Sequence, residues 1–280
     1  MSESAVAVEL REPTGVDGGE LLVLGHSLGT SAGLWDDALP SLERRFRVVR
    51  WELPGHGSAA PARSAYRVED LTDAVISQLD EMSVPFFHYA GVSIGGCVGL
   101  DLGLRHPARV ASATVISSGA RVDDPRLMRA RADTVRGGGV GRLVEGFRPR
   151  WFASTTPPAT VERVLAILAA TDAESYALAA LALADFDVWD QLGDIETPIL
   201  AMGGDQDASV PFRASHELAA RVPRGTAIEI NDAAHSVVAE QPEAVAEAII
   251  AFASSVPAAD AAACQPGDGG IFSRSPTEGC

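Results

Sequence analysis

The chain has 280 residues, of which 46% are hydrophobic, and this is enough for one large α/β domain with a buried core. Its 22 basic residues are all arginines, and 38 acidic residues bring the formal net charge to −16, which argues against nucleic acids and anionic membranes as partners. Because the chain contains no lysine, Schiff-base catalysis and the lysine-containing phosphate loop are both excluded.

The three cysteines, Cys97, Cys264 and Cys280, lie too far apart for the spacing of a zinc site. We therefore expect free thiols in a reducing compartment and no bound metal. Residues 1–10 carry glutamates but neither a basic flank nor a long apolar run, so no secretion signal is predicted. No stretch reaches the length of a membrane-spanning helix. These features predict a soluble, cytoplasmic protein.

Short apolar runs alternate with helical patterns over the first 120 residues. Strands are predicted at residues 5–10, 21–24, 46–51, 86–92 and 110–117. Helical stretches are predicted at residues 34–42, 68–82 and 95–105. An alternation of this kind is typical of an α/β fold with a mainly parallel, doubly wound sheet.

The alternation stops after residue 120. Residues 121–191 show helical patterns and no convincing strand, which predicts a helical cap inserted into the sheet domain. Strands at 198–202 and 226–230 and helices at 212–221 and 243–252 then resume the pattern. We therefore expect a core of residues 1–120 and 192–253. Residues 254–280 are rich in Ala, Pro, Gly and Ser and are predicted to be a disordered tail.

Two segments match the Gly-x-Ser-x-Gly pattern of a nucleophile elbow, the tight turn that presents a catalytic serine between a strand and a helix. The first, Gly-His-Ser-Leu-Gly at residues 25–29, contains Ser27, and the second, Gly-Val-Ser-Ile-Gly at residues 91–95, contains Ser93. Each follows an apolar strand. The local pattern leaves both serines as candidates.

A serine nucleophile needs a histidine that accepts its proton and an acid that orients the histidine. In the order Ser, acid, His, both partners follow later strands. His235 follows the strand at 226–230, whereas His216 lies in a helical stretch, so His235 is the predicted base. Asp205 and Asp207 both follow the strand at 198–202 and both fit the place of the acid.

The chain resembles the α/β-hydrolase superfamily, whose acid loop commonly reads Gly-x-x-Asp-x-x-[Thr/Val]-Pro. Residues 204–211 match this pattern with Asp207 as the acid. The resemblance also separates the two serines, because in this fold the first such loop supplies an oxyanion-hole N–H and the elbow comes two strands later. Ser93 is then the nucleophile, and the N–H groups of Leu28 and Ile94 are the expected oxyanion donors.

Within that superfamily the sequence looks similar to the 3-oxoadipate enol-lactonases, over about residues 21–252. The motifs that carry the likeness lie at residues 24–30, 54–57, 91–96, 148–152 and 235–242. Two positions depart from the usual pattern: His26 replaces a frequent asparagine, and Trp51-Glu52 replaces a commoner aromatic-acid pair.

The cap is locally basic. Between residues 121 and 150 there are eight arginines and four acids, a local charge of +4 in a chain of −16. Because arginine binds a carboxylate in a two-pronged geometry, this composition suits a carboxylate-bearing substrate. We expect Arg148, Arg150 and Trp151 to contact the substrate, together with the hydroxyl of Ser27.

These observations lead to the hypothesis of a cofactor-free serine hydrolase that opens a small carboxylated lactone, in the first place 3-oxoadipate enol-lactone in aromatic-compound degradation. A general carboxylesterase and a cofactor-free perhydrolase of the same fold are the alternatives. A ligand-binding receptor that has kept the triad but turns over negligibly is a third. In each case the partner is a small molecule.

Overall fold

A single eight-stranded sheet organises residues 6–256, the part of the chain that this computed structural model describes. The strands are β1 (Glu9–Leu10), β2 (Thr14–Gly15), β3 (Leu21–Gly25), β4 (Arg47–Glu52), β5 (Phe87–Val92), β6 (Val110–Ile116), β7 (Ile199–Gly204) and β8 (Gly225–Ile230). Their order is β1-β4-β3-β5-β6-β7-β8, and β2 also pairs with β4. Strands β3 to β8 are parallel, whereas β1 and β2 run antiparallel to β4.

The central strands are apolar because both faces of the sheet are covered. Every residue of β3, β5, β6 and β7 is buried, which is the pattern of parallel strands between two helical layers. The helices of the core are α1 (Leu39–Leu42), α2 (Val68–Glu81), α3 (Ile94–Arg105), α8 (Phe212–Arg221), α9 (Val237–Glu240) and α10 (Pro242–Ser255). The predicted mainly parallel, doubly wound sheet is confirmed.

The cap follows β6 and consists of helices. They are α4 (Pro125–Gly138), α5 (Val144–Trp151), α6 (Pro158–Ala170) and α7 (Ala173–Asp185), with 3₁₀ turns at Val140–Leu143 and Trp189–Asp194. The start and the end of this insertion are joined, because Arg121 pairs with Asp187 in an isolated antiparallel bridge and the N–H of Val188 donates to the carbonyl of Ala120 at 2.9 Å. The insertion therefore leaves and re-enters the core at one place.

Several predicted elements differ in extent from the observed ones. The helix expected at 34–42 divides into a 3₁₀ turn, Ala32–Trp35, and α1, because Pro40 lies in the first turn of α1 and cannot continue a preceding helix. The first strand shortens to Glu9–Leu10, and Ala5 lies outside the described residues. Helix α10 extends to Ser255, past the expected end of the core at residue 253. The rest of the predicted tail, with Cys264 and Cys280, lies outside the described residues.

The direction in which successive strands are added to the sheet reverses at its middle. From β3 the chain moves to β4 on one side, and then β5 pairs with the other side of β3, so β3 and β5 flank the switch point. Gly25 at the end of β3 pairs in register with Gly91 of β5. In open α/β sheets, ligands bind at the carboxyl ends of the strands beside such a reversal. The two Gly-x-Ser-x-Gly segments therefore begin side by side.

Close backbone contacts explain two of the elbow glycines. A Cβ on Gly91 would lie 2.2 Å from the carbonyl oxygen of Gly95, and a Cβ on Gly95 would lie 2.9 Å from the backbone of Gly25. No side chain fits at such distances, so only glycine lets α3 start directly after β5 and pack against β3.

Within residues 6–256, no single helix has the length and apolar character to cross a membrane. Only α6 and α7 taken together have that length and apolar character, and the chain bends by 98° between them.

Candidate active site

Ser93 occupies the one-residue turn between β5 and α3. Its backbone has φ 55° and ψ −115°, a conformation that an L-residue adopts only when its surroundings hold it there. The N–H of Ser93 donates to the carbonyl of Ile116 at 2.8 Å, and the hydroxyl of Ser118 donates to the carbonyl of Ser93 at 2.7 Å. These two bonds fasten the turn to the end of β6 and leave the side chain at the tip, half-buried.

His235 and Asp207 form a buried pair. The Nδ1 atom of His235 lies 2.9 Å from Oδ2 of Asp207, and the other carboxylate oxygen accepts the N–H groups of Ser209 and Val210, each at 2.8 Å. Burial alone would raise the pKa of Asp207, but the charge and hydrogen bond of His235 and the two N–H groups outweigh it and hold the pKa below its ordinary value. An ionised Asp207 keeps Nδ1 protonated and Nε2 free to accept a proton.

Asp205 has a different role from Asp207. Its side chain is exposed, and its Oδ1 accepts the N–H of Ala233 at 3.1 Å. It therefore joins the loop after β7 to the loop after β8 and does not bond to the histidine. Of the two acids that the sequence left open, Asp207 is the one that contacts His235.

The expected oxyanion donors lie on the two segments that begin side by side. Ile94 is the first residue of α3, so its N–H has no acceptor within the helix. The N–H of Leu28 finds no protein acceptor among residues 6–256. The Leu28 turn is built locally, because the N–H and the hydroxyl of Thr30 both donate to the carbonyl of Ser27, at 3.0 and 2.8 Å. Two N–H groups are thus available for an anionic oxygen.

Buried polar side chains hydrogen-bond to this turn and to the residues near it. Nδ1 of His26 lies 2.9 Å from the carbonyl of Ser27, while its Nε2 accepts the N–H of Leu53 at 3.0 Å. Glu52, fully buried at the end of β4, accepts the N–H of Ala32 at 3.0 Å and pairs with Arg11. His26 and Glu52, the two positions that depart from the enol-lactonase pattern, are therefore structural partners of the oxyanion turn.

A cavity of about 400 Å³ lies between the core and the cap. Ser27, Leu28, Ser93 and His235 line its floor, and Trp151 lines it from the cap. The cavity is thus bordered by the candidate nucleophile, the candidate base and one oxyanion residue. Its size suits a small molecule.

Comparison with known proteins agrees with this geometry. A model described as the alpha/beta hydrolase family matches residues 7–248. The chain belongs to that family. This confirms the α/β-hydrolase fold inferred from the sequence.

Individual relatives of the hydrolase bear out the more specific resemblance. The chain is 30% identical over 231 residues to 3-oxoadipate enol-lactonase 2 of Acinetobacter baylyi, covering 81% of this chain and 86% of the relative. It is 28% identical to a putative carbamate hydrolase, RutD, of Pantoea ananatis, covering 80% and 84%. The enol-lactonase structure from Burkholderia xenovorans superposes with a TM-score of 0.84 at 27% identity, covering 89% and 96%.

The hydrolase places its cap arginines differently from the prediction. Arg150 and Trp151 line the cavity as expected, but Arg148 forms a surface ion pair with Glu162 at 2.9 Å and does not line it. The reason is helical geometry: on α5, residues two positions apart point about 200° apart. Arg148, which was expected to contact the substrate, therefore does not border the cavity in this structure.

Two further arginines reach the cavity, Arg121 and Arg131. A signal for Arg131 is present in the sequence, because Asp124, Leu127, Met128 and Arg131 follow the i, i+3, i+4, i+7 spacing of one helix face, and all four line the cavity. Ser118, which holds the elbow, has no comparable signal.

The other histidines and Cys97 show no sign of a catalytic role. Burial lowers the pKa of His56 to about 3, with the charge of His26 acting in the same direction. His88 lies 2.8 Å from the hydroxyl of Ser112, and His216 is exposed. Burial raises the pKa of Cys97 to about 12, so its thiolate is not available as a nucleophile. Within the described residues, no three metal-ligating side chains cluster.

Replacing each serine in turn tests the choice of nucleophile. Ser93→Ala removes the attacking oxygen, so we expect kcat for an activated ester to fall by roughly 10⁶-fold. Ser27→Ala keeps the backbone carbonyl that holds the Leu28 turn, so we expect a loss below about tenfold. Steady-state ester hydrolysis measures both. The opposite ranking would make Ser27 the nucleophile.

The two acids are tested in the same way. Asp207→Asn leaves His235 without an anionic partner and favours the wrong tautomer, so kcat is expected to fall by roughly 10³–10⁴-fold. Asp205→Asn can still accept the N–H of Ala233 through its amide oxygen, so kcat should stay near wild type. Both are measured as kcat at neutral pH, with the folded state checked by circular dichroism. An inactive Asp205→Asn beside an active Asp207→Asn would reverse the assignment.

Proposed function

We propose that this hydrolase opens a small lactone that carries a free carboxylate, with 3-oxoadipate enol-lactone as the first candidate. The observation that carries the proposal is that Ser93 and His235 open into the same cavity as three cap arginines, Arg121, Arg131 and Arg150. None of these three arginines forms an ion pair with a carboxylate in residues 6–256. The cavity thus combines an acyl-transfer site with arginines that are not paired with a carboxylate.

The reaction follows from the positions of the groups. Nε2 of His235 takes the hydroxyl proton as Oγ of Ser93 bonds to the lactone carbonyl carbon, and the N–H groups of Leu28 and Ile94 receive the oxyanion. As the tetrahedral intermediate collapses, the ring C–O bond breaks and His235 gives the proton to the leaving enol oxygen. The ring-opened product remains attached to Ser93 as an ester. Water, deprotonated by His235, then releases the carboxylic acid and restores Ser93.

Arg131 is the strongest candidate for the residue that binds the substrate carboxylate. It lies half-buried, whereas Arg121 and Arg150 are exposed. Its guanidinium lies 4.7 Å from the centre of the Phe147 ring, which limits its orientation. Burial raises the pKa of Tyr176, and the charge of Arg131 acts in the opposite direction, so Arg131 lies near this fully buried side chain.

The acids at the cavity leave this positive charge in place. Asp123 and Asp124 also line the cavity, but Asp124 is already paired with Arg126 at 2.9 Å. The relative named 3-oxoadipate enol-lactonase supports the lactone as substrate. Cytoplasmic location remains part of the proposal, together with a small-molecule partner and chemistry that needs no cofactor.

Turnover of the lactone beside uncharged and nitrogen-containing analogues tests the proposal. We expect kcat/KM for 3-oxoadipate enol-lactone to exceed that for p-nitrophenyl acetate, because only the lactone offers a carboxylate to the arginines. Purified protein, followed by loss of the enol-lactone absorbance, provides the measurement. Faster turnover of the simple ester would indicate a general carboxylesterase, and faster turnover of a small carbamate would indicate the activity named for RutD. Peroxide-dependent formation of peracid would indicate a perhydrolase, and a stable adduct after one turnover would indicate a receptor.

Replacing Arg131 tests the carboxylate site. Arg131→Met keeps an unbranched apolar stem but removes the charge, so KM for the carboxylated lactone should rise by roughly 10- to 100-fold, as expected for losing charge-assisted hydrogen bonds. Turnover of p-nitrophenyl acetate should change by less than about threefold. The matched control is Arg136→Met on the same helix, whose guanidinium pairs with Glu174 at 2.6 Å. Equal effects of Arg131→Met on both substrates would remove Arg131 from this role.

A further inference from the structure

The loop that carries His235 is attached to the cap on both sides of the histidine. The N–H of Ser236, directly after it, donates to the carbonyl of Trp151 at 2.9 Å. The N–H of Ala234, directly before it, donates to Oε2 of Glu240 at 2.8 Å. Glu240 in turn bonds to the cap. Both neighbours of His235 are therefore held, directly or through Glu240, by residues 151–156 of the cap.

Glu240 is the bridge on one side. It is the last residue of α9, and its Oε1 accepts the N–H of Ala153 at 2.7 Å and the hydroxyl of Thr156 at 2.6 Å. Its two oxygens therefore accept three donors from two segments that are distant in the chain, residues 153–156 and residue 234. Only a carboxylate can do this, because every one of its lone pairs is an acceptor.

An aromatic stack connects the same cap segment to the histidine ring. The rings of Phe147 and Trp151 stack at 4.5 Å with 15° between their planes, and the Trp151 ring lies 6.1 Å from that of His235 at 37°. Both aromatic side chains are buried. The position of α5 thus limits the space into which the imidazole can turn.

Glu240 also lies within electrostatic reach of the triad. Burial raises the pKa of Glu240 above its ordinary value, the three hydrogen bonds oppose this, and the negative charge of Asp207 adds to the rise. The effect of Asp207 shows that the two carboxylates lie close enough to interact. Glu240 is half-buried and does not line the cavity, so it has no direct contact with a substrate there.

We propose that Glu240 is a positioning residue, which holds the His235 loop and the cap segment 151–156 as one unit and so keeps the imidazole aligned with Asp207 and Ser93. The proposal rests on His235 acting as the base, which is part of the proposed function, but it does not depend on which lactone or ester is the substrate. The cap then contributes to catalysis through the histidine as well as through the cavity wall.

The decisive variant is Glu240→Gln. A glutamine side chain has one acceptor oxygen and one donor NH₂ group, so whichever way it faces, either Ala234 or the pair of Ala153 and Thr156 meets a donor instead of an acceptor. We expect kcat for p-nitrophenyl acetate to fall by roughly 10- to 100-fold with KM changed less than about threefold, since small displacements of a catalytic group have effects of this size. The matched control is Glu247→Gln on α10, which exchanges an exposed glutamate.

Proton NMR provides a readout that needs no activity. The Nδ1 proton between His235 and Asp207 should give a low-field signal in the wild-type protein and in Glu247→Gln, and this signal should broaden or disappear in Glu240→Gln at a temperature where the protein is folded. A merely structural role would lower the melting temperature and leave the signal of the folded protein sharp. If the wild type hydrolyses no ester, the proposed function fails and the NMR signal alone decides the present proposal.

Thr156→Val is the second variant, for the case that Glu240→Gln does not fold. It removes one donor to Glu240 with little change in shape, and we expect kcat to fall by roughly two- to fivefold with a broadened signal. A wild-type kcat and a sharp signal in folded Glu240→Gln would overturn the proposal. If that variant does not fold, the same result in Thr156→Val would overturn it.

Discussion

The contact between the elbow backbone and strand β3 is the constraint on which the site depends. Gly95 lies so near the backbone of Gly25 that no Cβ fits between them. The in-register pairing of Gly25 with Gly91 brings the two loops to this contact. As a consequence, the segments that carry Leu28 and Ile94 follow two adjacent strands and begin side by side, and Leu28 borders the same cavity as Ser93. The strained backbone of Ser93 persists because β6 holds it through hydrogen bonds.

The acidic and basic side chains of this molecule are concentrated in different places. The chain as a whole is strongly acidic, yet the ionised carboxylate of Asp207 is buried and compensated by the imidazole and two N–H groups. The cap carries the opposite sign. Five of the nine arginines in residues 121–191 pair with carboxylates, as Arg148 does with Glu162, and three of the other four line the cavity. A strongly acidic surface would repel an anionic substrate, and under the proposed function the unpaired arginines at the cavity offset that repulsion where the substrate binds.

The cap is therefore more than a cover for the cavity. Its segment 151–156 bonds to the histidine loop through Ser236 and through Glu240, and its aromatic stack lies against the imidazole. The core carries the proposed nucleophile and oxyanion donors, whereas the loop of the proposed base, His235, is bonded to the cap as well. With the roles proposed above, a change in the cap would alter substrate binding and proton transfer together.

The sequence by itself determined the strand and helix alternation, the helical character of residues 121–191 and the place of His235 after a late strand, because local periodicity and chain order carry that information. It left the two serines and the two aspartates to be separated by a family pattern, and of the two arginines that it assigned to the substrate, Arg148 and Arg150, only Arg150 lines the cavity. Only the tertiary structure decided these points and brought Glu240 to Ala153. The physical reason is that a side chain's direction and its distant partners depend on how helices pack, and residues that meet across more than 80 positions leave no local signal.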